Sequence, residues 1–595
     1  MLRPTDVYPS VGRRSYAAGM KRLLLATTAV ALAAGMFAAQ PATAGRPHDL
    51  ADLQILAIND FHGNLEPPTG SSGVVTTLDA SGATVKVPAG GVEYLATHLK
   101  NARVGNPNTT TVGAGDLIGA SPLLSAAFHD EPSVNALGDL GLEATAVGNH
   151  EFDEGSAELL RMQGGGCHPT DGCADPAAPF QGAKFQYLAA NVVDTAAQKT
   201  VLPPYWVKDF GNGAKVGFIG MTLRGTPDIV TKSGIAGLRF DDEVTTANHY
   251  VSELRLQGVM AIVVLLHEGG VPVSQVYNYD CNAGGNLGLS GPIVDIAKKL
   301  SPSIDLVITG HTHQSYACSI PDPMGRPRMV TSAGSYGREY TDVRLKFDID
   351  KNDIVQVTAQ NKIVTRDVPK DPTATALVTK YKTLIAPIAN RKLGYIAGDV
   401  QKAVSSTVET PLGDLIADAQ LAATSAPDKG GAQIALMNPG GIRADLTYAQ
   451  SGSEGNGVVT YAEAFTVQPF NNYVDTVSLT GAQIVTVLGQ QFTGTNSGVA
   501  KKVLQVSTGF TYTVTGLLTV SDVRLNGVPL DPAATYRVSI NSFLADGGDG
   551  FPELAKHTNK LVGPLDIDTF AAYMAANSSA ANPYPVPAAT RITFQ

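Results

Sequence analysis

Gly148-Asn149-His150-Glu151-Phe152-Asp153 follows the short apolar run Ala144-Thr145-Ala146-Val147, and the reading of the whole chain turns on it. Asn149 offers a neutral oxygen and His150 an imidazole. Asp153, three residues after His150, offers a carboxylate able to accept the ring's second N–H and fix its tautomer. The same residues would also suit a helix start, with Asn149 as cap and Glu151 and Asp153 at the positive end of the helix dipole. What the rest of the chain brings to this point decides between the two.

Outward from that stretch, short β-rich runs alternate with longer segments of helical pattern from Leu53 onward, which predicts an α/β layered domain. Residues 53–58, 109–112, 144–147, 260–266 and 304–308 read as strands, and 91–102 and 133–140 as helices. These strands end in turn at Asp60-Phe61-His62-Gly63, Gly115-Asp116, Asn149-His150, His267 and Gly310-His311-Thr312-His313. In open α/β sheets chemistry collects beyond the carboxyl ends of the strands. Asp60, His62, Asp116, Asn149, His267, His311 and His313 are therefore expected to converge. A lone Asp-x-His is a turn more often than a ligand, but five such strand ends in a chain with 11 histidines outweigh that reading. One bridging carboxylate among imidazoles and oxygens would hold two divalent ions about 3.5–4 Å apart, a hydrolytic arrangement. An oxygen and nitrogen donor set without thiolate suits zinc or manganese.

The N-terminus reads as a targeting segment, residues 1–44: Met20-Lys21-Arg22 opens it, an Ala-rich apolar stretch follows, and Ala42-Thr43-Ala44 fits a cleavage site. No later stretch reaches the roughly 18 apolar residues that a spanning helix needs. The expected product is exported, secreted or held at the cell wall, with no membrane anchor after cleavage. The full chain has a net charge of −10, and the leader carries five Lys or Arg against one Asp, so the remainder stands at −14. Such a surface is a poor partner for a nucleic-acid polymer, and no motif points to a protein partner. Four cysteines in an exported chain favour disulfides, read as Cys167–Cys173 and Cys281–Cys318. The rival reading is a Cys/His zinc site using His168.

At Arg366-Asp367-Val368-Pro369-Lys370-Asp371-Pro372 the pattern breaks. Residues 373–390 read as one connecting helix with Ala376, Leu377, Tyr381, Leu384 and Ile385 on its apolar face. The expected organisation is a catalytic domain at 45–365, a linker helix at 366–395 and an α+β domain at 396–595. In the last of these, Asn438-Pro439-Gly440-Gly441-Ile442-Arg443 follows a strand, bringing close backbone approach and a guanidinium fork suited to phosphate oxygens. Phe470 and Phe543 lie in two further polar, aromatic-bearing stretches, the second running into Gly547-Gly548-Asp549-Gly550-Phe551.

The five ordered blocks of the N-terminal half resemble the calcineurin-like metallophosphoesterases, and more narrowly the secreted 5'-nucleotidase, UDP-sugar hydrolase and 2',3'-cyclic phosphodiesterase group. The resemblance covers about residues 50–360 and 395–595 and implies a layered αββα catalytic domain. It implies one ion on Asp60, His62 and His313, another on Asn149, His267 and His311, and Asp116 as the bridge. His150 and Asp153 match the catalytic dyad, beside a metal-bound hydroxide that attacks phosphorus in line. In the C-terminal domain the resemblance makes Phe470 and Phe543 a nucleobase clamp, Asp549 a nucleoside contact, and Asn438 with Arg443 phosphate ligands. One departure stands out: relatives carry an arginine before Glu409, where this chain reads Ser405-Ser406-Thr407-Val408. The expected substrate is a 5'-nucleoside monophosphate. The alternatives are a UDP-sugar, a 2',3'-cyclic nucleotide or another diester on the same site, a sulfur ester, or an exported nucleotide-binding protein without catalysis.

Overall fold

Apolar residues fill both faces of β1 (Leu50–Ile58): Leu53, Ile55 and Ala57 point to one layer, Leu56 and Ile58 to the other. A strand buried on both sides belongs to the middle of a layered structure. In the computed structural model, which describes residues 49–595 apart from 212, 283, 284, 286, 403–408, 499 and 500, β1 is central to a six-stranded sheet. The expected leader and the stretch Ser405 to Val408 lie outside the described residues.

Parallel to β1 run β2 (Thr109–Ala114), β3 (Ala144–Ala146) and β4 (Gln186–Leu188). A second sheet follows, made of β5 (Tyr205–Asp209), β6 (Lys215–Thr222), β7 (Ala261–His267), β8 (Leu306–Thr309), β9 (Ser315–Pro321) and β10 (Pro327–Ala333). Then β11 (Glu339–Asp348) and β12 (Asp353–Ile363) return to the first, giving the orders β12-β11-β1-β2-β3-β4 and β9-β10-β8-β7-β6-β5. The sheets pack face to face through Leu53, Ile55, Val112 and Ala144 on one side and Phe218, Val263, Leu265 and Ile308 on the other. Outside the first sheet lie α1 (Val92–Arg103), α2 (Glu131–Asp139) and α3 (Ser156–Gly164); outside the second lie α4 (Glu243–Leu256) and α5 (Pro292–Lys299). This is the expected αββα sandwich. Because β1, β2 and β3 run parallel in one sheet and β6, β7 and β8 in the other, their carboxyl ends present the ligand-bearing turns together.

The connecting helix α6 (Pro372–Ala389) forms, capped by Asp371, whose side chain accepts from Thr373 N and Ala374 N. Its buried stripe differs from the expected one. Ala374, Val378, Tyr381 and Ile385 face inward, while Ala376 and Leu384 are exposed. Tyr381 sets the phase by packing its ring 4.9 Å from Phe128. Beyond α6, a second domain is built on β13 (Ile434–Met437), β14 (Val474–Thr480), β15 (Gln505–Val506), β16 (Thr535–Asn541) and β17 (Thr558–Leu561), in the order β15-β13-β16-β14-β17. Strands β13 and β16 are parallel, so the turns leaving them at Asn438 and Asn541 lie side by side.

Asn59 ties the two sheets at the ligand-bearing edge. It is buried; its Nδ2 donates to Gly334 O at 2.8 Å and to Asp60 Oδ2 at 2.7 Å, and its Oδ1 accepts from Ala333 N at 2.8 Å. Asn59→Leu keeps the volume but strands a buried N–H and a buried carbonyl. The expected loss is about 2–4 kcal/mol, read as a lower urea midpoint with an unchanged slope; an unaltered midpoint would remove this role.

Candidate metal centre

Five of the seven expected ligands, Asp60, His62, Asp116, His311 and His313, adopt positive φ between 46° and 72°. Such conformations cost non-glycine residues about 1–3 kcal/mol each and persist where the surroundings over-determine them. They turn the side chains back over the strand ends. A Cβ on Gly148 would meet Asp116 Oδ1 at 2.2 Å, so glycine is what lets the β3 turn approach that carboxylate. Asn149 makes no side-chain cap to the 3-10 turn at His150–Phe152, which disposes of the helix-start reading.

All seven side chains converge. Asp60, His62 and His313 form one group, and Asp116, His267 and His311 a second. His313 Nε2 lies 3.3 Å from Asp60 Oδ1, and His62 Nε2 lies 3.1 Å from His313 Nε2 and 3.7 Å from Asp116 Oδ2. In the second group His267 Nε2 lies 2.9 Å from Asp116 Oδ2, and His311 Nδ1 3.1 Å from Asn149 Oδ1. Asp60, His62, Asp116, Asn149 and His267 are all buried.

This donor set fits cations. His62 Nδ1 donates to Gly119 O at 2.9 Å and His267 Nδ1 to Ala114 O at 2.7 Å. These bonds place the ring protons on the outside and leave Nε2 of each facing the centre. His267 Nε2 lacks a hydrogen-bond partner despite its burial and its closeness to Asp116. His62 Nε2, without a proton of its own, and His313 Nε2 stand 3.1 Å apart beside Asp60 and Asp116, a spacing in which a cation could take both lone pairs. Burial drives His62 well below its ordinary value, lowers His313, and, with His267 adding to it, takes His311 down to about 3. Neutral rings of this kind are ready ligands. At His267 burial opposes the charge, but Asp116 outweighs it and pushes the ring up to about 10.

The dyad is formed as expected: His150 Nδ1 donates to Asp153 Oδ2 at 2.8 Å. Burial disfavours the charged ring, yet Asp153 and Asp116 together hold His150 above its ordinary value. Its ring lies 5.8 Å from Phe470, near-parallel at 24°, which brings the C-terminal half against the dyad. A cavity of about 500 Å³ opens here, lined by Asn149, His150, Asp153 and His311 from one half and by Asn438, Arg443, Phe470, Phe543, Asp549 and Lys502 from the other. Both halves belong to the single compact unit spanning residues 48–595. A Cβ on Gly548 would strike the Phe543 ring at 2.5 Å, so glycine there sets the ring's position. Asp549 is buried and doubly held, by Lys502 Nζ and by Asn438 Nδ2, each at 2.6 Å. Asn438 also accepts from Asn541 Nδ2, so its amide is engaged with protein groups.

The sequence matches Calcineurin-like phosphoesterase over residues 53–315 and 5'-nucleotidase, C-terminal domain, over residues 391–556. A cell wall protein of Listeria monocytogenes is 36% identical, over 91% of this chain and 70% of its own length. The chain belongs to the 5'-nucleotidase family of calcineurin-like phosphoesterases. An endonuclease of Bacillus subtilis is 31% identical over 93% of this chain, which spans only 42% of that larger protein. In fold, the chain is similar to a 5'-nucleotidase precursor from Thermus thermophilus, with a TM-score of 0.71 and 26% identity over 91% of this chain and 99% of the other. Membership makes the protein a hydrolase of the metallophosphoesterase type, which binds divalent metal.

Sequence reasoning gave no role to Glu151 beyond the helix-start reading. Its carboxylate accepts from Gly148 N at 2.5 Å, Leu117 N at 2.8 Å and Asp116 N at 2.9 Å, joining the turns after β2 and β3. Burial and the Asp116 charge push it up to about 7 against the pull of those amides. Lys502 was missed as well, since no motif surrounds it. Replacing Glu151 by Gln turns an acceptor into a donor facing N–H groups. We expect about 1–3 kcal/mol of lost stability and a ten- to hundredfold weaker zinc affinity. Competition titration against a chromogenic chelator tests this, and wild-type affinity in the variant would refute it.

Proposed function

We propose that the chain is an exported phosphohydrolase of 5'-nucleoside monophosphates that releases nucleoside and inorganic phosphate. One observation carries the reading: Asp116 stands between the two histidine groups and accepts from the backbone of His150, which with Asn149 and His311 lines a cavity shared with Arg443, Phe470, Phe543 and Asp549. We assign one divalent ion, zinc or manganese, to Asp60, His62 and His313, a second to Asn149, His267 and His311, and the bridge to Asp116. Bound there, the ions supply an activated water as nucleophile and neutralise phosphoryl charge. We place the catalytic half at 45–365, the connecting helix at 366–395 and the substrate-binding half at 396–595.

The chain's own side chains do the remaining work. His150, whose charged form Asp153 favours, stabilises the phosphoryl oxygens and gives its proton to the departing 5'-oxygen. Arg443 grips phosphate oxygens with its fork. Phe470 and Phe543 stack on the base, which favours a nucleotide over a small inorganic ester. Asp549, with lone pairs beyond those taken by Lys502 and Asn438, accepts from a sugar hydroxyl. Export is supported by the two disulfides, Cys167–Cys173 and Cys281–Cys318, and by the relative named a cell wall protein. Among the described residues no helix is long and apolar enough to cross a membrane. The relative named an endonuclease favours a second reading, a phosphodiester on the same site.

The test is phosphate release by chelator-stripped protein restored with zinc or manganese and offered AMP, bis(p-nitrophenyl) phosphate, UDP-glucose and 2',3'-cyclic AMP. AMP should be hydrolysed fastest; faster turnover of a diester or of UDP-glucose would transfer the assignment to that class. Asp116→Ala should lower kcat/KM by about a thousandfold or more, since the ions supply several kcal/mol. Phe543→Ala should raise KM roughly tenfold with kcat nearly kept, the worth of one base stack. A fully active Asp116→Ala protein would overturn the site.

A further inference from the structure

A third group of ligating side chains stands apart from the dinuclear centre. His129, just before the residue that opens α2, Glu154, one residue past the dyad's Asp153, and His168, inside the Cys167–Cys173 loop, each bring one donor atom within 4.8 Å of the others. His129 Nδ1 lies 2.7 Å from Glu154 Oε2, and its Nε2 lies 3.0 Å from Asp171 Oδ2. The imidazoles of His129 and His168 are stacked 3.8 Å apart at 15°. His168 Nδ1 accepts from Asp171 N at 3.1 Å, so it is the nitrogen that carries the lone pair, and an ion bound there would replace that bond.

Several features of this cluster belong to metal chemistry. Asp171 stands behind His129 as a carboxylate stands behind a ligating imidazole, taking one ring N–H and leaving the other nitrogen to face Glu154. The loop's cysteines are joined in a disulfide, so thiolate ligation is closed and the donors are two nitrogens and a carboxylate oxygen. That set suits zinc, with its fourth position open to water. The imidazoles are only 20% and 17% exposed, while Glu154 at 45% keeps the group open to solvent. Stacked rings cannot both be charged cheaply. Glu154, with Asp171 and Glu158, outweighs partial burial and pushes His129 up to about 9, so in the ion-free form one proton occupies the place between the carboxylates.

We propose that His129, Glu154 and His168 bind a third divalent transition-metal ion, zinc by its donor set, with Asp171 as the hydrogen-bond acceptor behind His129. An ion lies in the plane of each ring that binds it, so capture tips the two rings out of their stack. The site would fasten the disulfide loop to the rim of the substrate cavity, which His129 and Glu154 line. The proposal does not depend on which ester the enzyme cleaves.

The experiment counts zinc per chain by plasma mass spectrometry after dialysis at fixed free zinc. The wild-type protein is compared with the His129→Gln/His168→Gln double variant. Wild type should carry one ion more, with both proteins folded by circular dichroism. Equal counts would overturn the proposal. The same comparison in an Asp116→Ala background separates this site from the dinuclear centre: one ion should remain and be lost with the two histidines, and a background chain that holds none would also overturn it. Should the double variant not fold, Glu154→Gln takes its place and should weaken binding of the same ion at least tenfold, an unchanged affinity counting against the site.

Discussion

The Glu151 carboxylate holds the centre together. It gathers the N–H groups of Asp116, Leu117 and Gly148, so two turns leaving neighbouring strands share one acceptor. A buried carboxylate is costly unless hydrogen-bonded, and three amides are what make it tolerable at this depth. In return it fixes the backbone of Asp116. That residue's Oδ1 accepts from His150 N while its Oδ2 faces His62 and His267. The dyad and both ligand groups therefore take their positions from a side chain that is not itself among the expected ligands.

This order is imposed against local preference. Asp60, His62, Asp116, His311 and His313 all sit in the left-handed region, and the buried rings repel charge. Nothing in these turns would hold such conformations alone. The two sheets do so, since their inner faces pack across Leu53, Ile55, Phe218 and Val263 and fix where the parallel strands β1, β2, β3, β7 and β8 end. Asn59 then closes the gap between β1 and β10 at that edge. The layered core stores the strain that the ligands need, and a cation would relieve the electrostatic part of it.

The strands and their ligand-bearing ends were legible because each joins two local signals, an apolar β-rich run and an abrupt Asp, Asn or His. Leu53 to Ile58 followed by Asp60 is one such case, and 304–308 followed by His311 another. What escaped is whatever depends on two distant segments meeting. Asn59 reads as a turn residue until Ala333 and Gly334 arrive beside it. Glu151 reads as a helix-start acid until the β2 turn lies under it. Helix α6 is legible in the sequence but its phase is not, because Phe128 and its neighbours select the stripe through Val378 and Tyr381. In sequence His168 stands with the cysteines beside it, whereas the fold pairs it with His129.

The charges inside the cavity explain how an acidic protein can receive an anion. Lys502 is spent on Asp549, so that pair adds no net charge to the cavity. Arg443 differs: among the described residues it makes a 3.5 Å contact to Gly440 O and rests 5.8 Å from the Phe470 ring. Its positive charge reaches His62, His150 and His313, disfavouring a proton on each. Lys402 donates to Arg443 O at 2.9 Å and so steadies the turn that carries the fork. The net charge of the chain therefore acts at long range, where salt screens it within about 10 Å, while a guanidinium within reach of the centre sets the local field. On the proposed reading, anion selection is thus a property of the turn after β13, and the surface charge is free to serve solubility.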